Sequence, residues 1–381
     1  MKQHRNSEVL YGHNLIPQGI RSRLIEDVNG LKMHILEAGY DGASDKPCIV
    51  MLHGFPELAF SFRHQLAALA GAGYYVIAPD QRGYGLTTGW DGNYDGDVGS
   101  FRMFNLVQDI VSLLTRLGLK SISGIVGHDF GSPVAAWCSL IRPDIFKSLV
   151  LMSAPFGGPP SLSGSVNSRG RPLSMDESLA SLKPARIHYQ AYYSRRYANE
   201  QLLGCASGLL EFFKGYYFLK SAGYSGNRPF PLAGWSATEL AKLPRYYVMD
   251  IDTSMPQTVA SMMGDMMKTP DWLTEDLMLV YASVYQSTGF QGGLNWYRCS
   301  ISAALNHDLK MFTGRKIEVP AAFIAGEADW GIHQSPGQLD KMQNLGCTNM
   351  TILPFVEQAG HWVQQEQPDL VNNLLLQFFA R

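Results

Sequence analysis

Short runs of consecutive apolar and β-branched residues recur along the chain, and between them apolar positions repeat at helical spacing. Met33–Leu36, Cys48–Leu52, Tyr75–Ala78, Gly124–Val126, Leu149–Met152, Ala321–Ala325 and Met350–Leu353 predict strands, and Leu370–Phe379 predicts a closing helix. Near-continuous apolar runs suit strands buried on both faces. The pattern therefore predicts an α/β fold with a mostly parallel, doubly wound sheet between two helical layers.

Between Pro155 and about His307 this alternation stops, and the Gly/Pro/Ser-rich stretch from Gly157 to Gly164 marks the departure. The residues beyond that stretch are mainly helical by pattern and rich in aromatics, among them Tyr189, Tyr192, Tyr193, Phe212, Phe213 and Tyr216. Residues 156–307 are expected to form a lid inserted before the strand Ala321–Ala325, with 1–155 and 308–381 as the core domain. Such aromatics can line an apolar pocket, although the ordinary role of any one of them is to pack the lid itself. The methionine-rich run Met262–Met267 reads as helix packing, with a pliable entrance as the alternative.

Composition narrows the function. The 381 residues are 46% hydrophobic and 17% charged, enough apolar material for a large core and a sizeable insertion. A formal net charge of -2 and the lack of basic clusters argue against a nucleic-acid partner. Five scattered cysteines without CxxC spacing suggest neither a disulfide framework nor a metal site. The polar start Met1–Asn6 and the shortness of every apolar run predict a cytoplasmic protein without a membrane span.

The chemistry concentrates at strand ends. Gly124–Pro133 runs a buried strand into a helix through Gly-His-Asp-Phe-Gly, the spacing of a nucleophile elbow with Asp129 at its apex. Small flanking residues let the strand turn sharply, and the helix N-terminus beyond it favours a carboxylate. A carboxylate needs no base to act as a nucleophile, and it suits displacement at saturated carbon. The resulting ester must be hydrolysed, which calls for a base and for donors to an oxyanion. His361, after the last strand, is the expected base, and Asp329 the acid that orients it, with Glu327 as its competitor. His53-Gly54-Phe55-Pro56 follows the strand Cys48–Leu52 and is expected to fold into a tight turn, with Pro56 open to a cis bond. The N–H groups of Phe55 and Phe130 are then the expected oxyanion donors. No metal or organic cofactor is required.

These motifs, in this order, resemble the α/β-hydrolase family, and more narrowly its epoxide hydrolases, over nearly the whole chain. The segment Gly289–Arg298 resembles the family stretch that carries one ring-opening tyrosine, which implies Tyr297. The partner tyrosine resembles Tyr189, with Tyr192 and Tyr193 as neighbouring alternatives. The resemblance implies an apolar epoxide and water as partners, and it leaves a homodimer open. His53, Pro56, Gln190, Trp330 and Trp362 are the expected substrate contacts. Dehalogenation at the same elbow is the competing reaction, but Phe55 and Phe130 stand where the family's halide-cradling Asn and Trp would be. A ligand-binding relative that has lost catalysis is the competing class.

Overall fold

The apolar runs become strands because an extended segment without polar alternation is stable only where both of its faces are covered. The computed structural model describes residues 15–42, 46–162, 174–264, 270, 272 and 274–380. Its main sheet is built from β1 (Ile20–Val28), β2 (Leu31–Ala38), β3 (Cys48–Leu52), β4 (Tyr75–Pro79), β5 (Gly124–His128), β6 (Leu149–Met152), β9 (Ala321–Ile324) and β10 (Met350–Ile352); β7 (Arg186–His188) and β8 (Val248–Asp250) form a separate antiparallel pair. The order across the main sheet is β1-β2-β4-β3-β5-β6-β9-β10. β1 with β2 and β2 with β4 are antiparallel, and every pair from β4 to β10 is parallel. Strands β3 to β6 and β9 are buried along their whole length.

One edge strand escapes the apolar pattern. β1 reads Ile-Arg-Ser-Arg-Leu-Ile-Glu-Asp-Val and is half-exposed, with Arg21 and Arg23 both ion-paired to buried Glu37 on β2. An edge strand has only one neighbour, so it tolerates charge, and charge there discourages pairing with a second sheet. The closing helix starts two residues ahead of the predicted Leu370, at Pro368, whose missing N–H costs nothing in a first turn.

Helix Arg63–Gly71 connects β3 to β4 and packs on the closing helix Pro368–Phe379; helix Met103–Arg116 connects β4 to β5 and packs on Gly131–Ile141, which connects β5 to β6. These crossovers bring the carboxyl ends of β3, β5, β6 and β9 to a common edge, where sites form in open α/β sheets.

The segment between β6 and β9 is largely helical, and the β7–β8 pair within it departs from that expectation. Strands of three residues are too short to leave a period in the sequence. Several of the segment's aromatics pack its own interior, as Phe213 does against Tyr217, Tyr281 and Tyr285. Others put their polar tips onto main-chain carbonyls of the sheet domain: Tyr217 Oη donates to Pro56 (3.4 Å), Tyr285 Oη to Glu57 (3.2 Å) and Trp296 Nε1 to Arg82 (2.9 Å). A buried ring with a satisfied tip holds a position as well as an area.

Met263 is buried where helix Met255–Met263 packs against helix Leu209–Lys220, while Asp265, Met266 and Met267 lie outside the described residues, as do Met1–Asn6, Ser163 and Gly164. All five cysteines are free. Among the described residues, no helix is long and apolar enough to cross a membrane, and no cluster of three or more metal-ligating side chains occurs.

Candidate active site

At the end of β5 the chain turns into helix Gly131–Ile141 within three residues, and Asp129 takes the left-handed backbone conformation, with φ of 49°. A non-glycine residue in that region costs on the order of 1–3 kcal/mol, so the surroundings must impose it. They do so by close approach. A methyl group at Gly127 would lie 2.2 Å from the Gly131 carbonyl oxygen, and one at Gly131 would lie 2.1 Å from that of Leu52. Ser132 Oγ ties the turn to the Gly127 and Met152 carbonyls at 2.7 and 2.9 Å.

The turn after β3 meets this apex. Phe55–Pro56 is a cis peptide bond, and the Phe55 N–H donates to Asp129 Oδ1 at 3.0 Å. Gly54 permits the contact, since a Cβ there would sit 2.4 Å from that oxygen. Phe130 caps the helix and its ring faces the cavity; among the described residues its N–H makes no hydrogen bond to Asp129.

His361 Nε2 lies 3.3 Å from Asp129 Oδ2, and its Nδ1 lies 3.1 Å from Asp329 Oδ1, an oxygen that also accepts from the Gly331 N–H at 2.7 Å. Asp329 is buried against His361, whereas Glu327, the other candidate acid, is exposed. Burial pushes the Asp129 carboxyl up, yet the hydrogen bond and charge of His361, helped by Lys220 and His128, overcome it and hold the group well below the usual carboxylate range. For Asp329, burial is likewise outweighed, by His361 and the Gly331 N–H. Burial and Lys220 push His361 down, but the two carboxylates prevail and raise it above its ordinary value. A buried imidazole between two anions is stabilised in its charged form.

Above Asp129 lies a cavity of about 500 Å³. Phe130, Tyr189, Gln190, Tyr297 and Gln334 are among its lining residues. Tyr297, on helix Gln291–Ser300, is held edge-on against Phe55 and Phe130, with ring centroids 5.4 and 5.0 Å apart. Tyr189 packs 5.8 Å from Tyr297; its hydroxyl donates to Gln334 Oε1 at 3.0 Å and accepts from Gln190 Nε2 at 3.2 Å. Burial raises both phenols well above their ordinary range, and the charge on Asp129 adds to this, so both keep their protons. Tyr192 instead donates to Gln201, and Tyr193 packs beneath Phe55 and Tyr297 outside the cavity lining.

Four expected substrate contacts fall elsewhere. His53 is fully buried, with Nδ1 2.9 Å from the Gly54 carbonyl and Nε2 accepting from the Gln81 N–H; burial brings its pKa down to about 4, so it is neutral and structural. Pro56 carries the cis bond and presents its carbonyl to Tyr217. Trp330 packs against Phe230. Trp362 stacks on Tyr217 with centroids 4.1 Å apart and donates to the Tyr217 carbonyl. Proximity along the chain to a reactive residue does not fix where a side chain points. Gln190 alone of the five lines the cavity.

The structure also adds residues that no sequence motif singled out. Glu57 accepts from the Gly54 N–H and bonds His128 Nδ1, while His128 Nε2 and Ser153 Oγ both bond the His361 carbonyl, at 2.7 and 3.1 Å. This buried chain joins the turn after β3 to the loop that carries His361. The acid three residues after Gly54 and the histidine beside the apex were its visible signals. Gln334 and Lys220 left none.

A family model described as alpha/beta hydrolase fold matches residues 47–217. Epoxide hydrolase B of Mycobacterium tuberculosis is 32% identical over 348 residues, covering 88% of this chain and 91% of that protein. The chain belongs to the epoxide hydrolase family. Epoxide hydrolase 3 of Siraitia grosvenorii is 29% identical, with 91% and 94% of the two chains covered. Among solved structures, an epoxide hydrolase from an endophytic Streptomyces superposes with a TM-score of 0.75 at 29% identity over 96% of each chain. A laboratory-evolved variant of a potato epoxide hydrolase gives 0.69 at 28% identity, over 95% of this chain and 99% of that one. Family membership agrees with the α/β-hydrolase fold observed here.

Proposed function

We propose that the cavity takes an epoxide and converts it to a vicinal diol in two steps. Asp129 attacks an oxirane carbon, the carbon–oxygen bond breaks, and the departing oxygen takes a proton from Tyr189 or Tyr297 while the other tyrosine hydrogen-bonds to it. The ester carbonyl then sits at Asp129, with the Phe55 and Phe130 N–H groups as donors to the developing oxyanion. His361, oriented by Asp329, takes a proton from water, and the hydroxide adds to the ester carbonyl carbon. Collapse of the tetrahedral adduct restores the Asp129 carboxylate and frees the diol. Between the two steps the tyrosinate recovers its proton, by way of solvent, from the His361 imidazolium of the free enzyme, and the proton taken from water restores that imidazolium.

One observation carries this reading: a buried, ionised carboxylate with an imidazole 3.3 Å to one side shares a cavity with two phenols that keep their protons. A departing alkoxide needs a proton donor, and a departing halide does not. The rings of Phe55 and Phe130 offer a halide no N–H, which weighs against dehalogenation. In this reading residues 156–307 are the lid over a core of 1–155 and 308–381, and the enzyme works in the cytoplasm on a small apolar epoxide as a monomer or homodimer.

The test is intact-protein mass spectrometry after mixing with an aryl epoxide. His361→Gln should gain one substrate mass and hold it, and Asp129→Asn should gain none and form no diol, until any slow hydrolysis of the amide restores aspartate. Normal turnover by either variant sinks the mechanism.

A further inference from the structure

Lys220 ends the lid helix Leu209–Lys220 and is 4% exposed. No carboxylate pairs with it among the described residues. Its ammonium lies 5.3, 5.1 and 5.3 Å from the ring centroids of Tyr216, Tyr247 and Trp362, a cage that holds a cation without neutralising it. The same residue's carbonyl accepts the His361 N–H at 2.9 Å, so the charge is tied to the base through the main chain. The cage also spans both sides of the site, since Trp362 packs on His361 at 4.7 Å and Tyr247 on Tyr189 at 5.3 Å.

We propose that Lys220 is a fixed positive charge that returns His361 to its neutral form once Asp129 has become an ester, and so times the hydrolytic half of the cycle. The inference rests on the roles assigned above to Asp129 and His361. In the free enzyme, His361 faces two carboxylates and one ammonium, a balance that favours imidazolium, which cannot accept a proton from water. Esterification removes the charge of Asp129, so one carboxylate and one ammonium are left. The balance then tips toward neutral imidazole, the proton passing by way of solvent to the tyrosinate left by ring opening, at the step that needs a base. The other groups near His361 are His128, with centroids 5.1 Å away and Nδ1 bonded to Glu57, and Glu366, whose oxygens accept from the Ala222 and Trp362 N–H groups. Burial pushes Glu366 up to about 7, so it needs its own control.

Rapid mixing with an aryl epoxide across pH separates alkylation from hydrolysis of the ester. Removing a positive charge stabilises imidazolium, so Lys220→Met should move the acid limb of hydrolysis to higher pH by about one unit, roughly a tenfold slower hydrolysis below the limb. Ester should accumulate at neutral pH, with alkylation little changed. Lys220→Arg should hold the limb in place, and Glu366→Gln should leave the Lys220 effect intact. If the methionine variant folds poorly, Lys220→Gln against Lys220→Arg makes the same comparison. A limb that stays put while both rates fall together, or that moves equally in the arginine variant, overturns the proposal. A His361→Gln variant that accumulates no ester would instead overturn the underlying site assignment.

Discussion

The two sides of the cavity are held by different physics. On the sheet side, the main chain sets the geometry: Asp129 is lifted by a left-handed turn, Phe55 presents an N–H, and Gly54, Gly127 and Gly131 leave room for neither to shift. On the lid side, side-chain packing sets it: Tyr297 is wedged among Phe55, Phe130, Tyr189 and Tyr193, and Tyr189 among Tyr193, Tyr247 and Tyr297. Close-approach geometry fails abruptly, because backbone atoms have nowhere to go. Packed rings yield by degrees, because neighbours share any change.

The sharpest way to break this contrast is Gly54→Ala. Its methyl would enter the space of Asp129, so we expect diol formation to fall below detection and the fold to lose about 2–4 kcal/mol in urea unfolding. An active, fully stable variant would show that the sheet side is as yielding as the lid. A smaller effect is expected on the lid side, where Tyr297→Phe keeps the ring and loses only the hydroxyl. Its alkylation rate in single-turnover kinetics should drop by about 10²-fold, with the melting temperature nearly unchanged. Tyr189→Phe should cost less, because that hydroxyl already has partners in Gln334 and Gln190. Equal losses would mean that the two phenols do the same work. The mildest test is Trp296→Phe, which removes the bond to the Arg82 carbonyl and should cost about 1–2 kcal/mol of stability while leaving the chemistry in place.

The same contrast explains what could be read from the sequence. Buried strands announce themselves through uninterrupted apolar runs, and Asp129 and Asp329 lie just beyond two such strands, while His361 follows the half-buried edge strand β10, so their convergence follows from the topology. β1 stayed hidden because an edge strand alternates charge with apolar residues, and β7 and β8 because three residues carry no period. In the Tyr189–Tyr193 helix, only the face turned to the cavity separates Tyr189 from its two neighbours, and that face is set by packing partners far along the chain. Trp330 and Trp362 each adjoin a reactive residue and for the same reason still miss the cavity, Trp330 packing on Phe230 and Trp362 between His361 and Tyr217. Lys220 and Gln334 reach the site across 141 and 145 residues, through His361 and Tyr189 respectively, and no local pattern anticipates such a meeting.

The joints between lid and sheet domain have a consequence for drift in sequence. Three of the aromatic tips that reach across are seated on peptide oxygens, at Pro56, Glu57 and Arg82, while Tyr189 and Tyr281 take the side chains of Gln334 and Gln365. A peptide oxygen survives substitution of the residue that bears it. At those three seats the roof is registered to the path of the floor and is indifferent to its decoration, so side chains there can change while Tyr297, next to Trp296, keeps its height above the carboxylate.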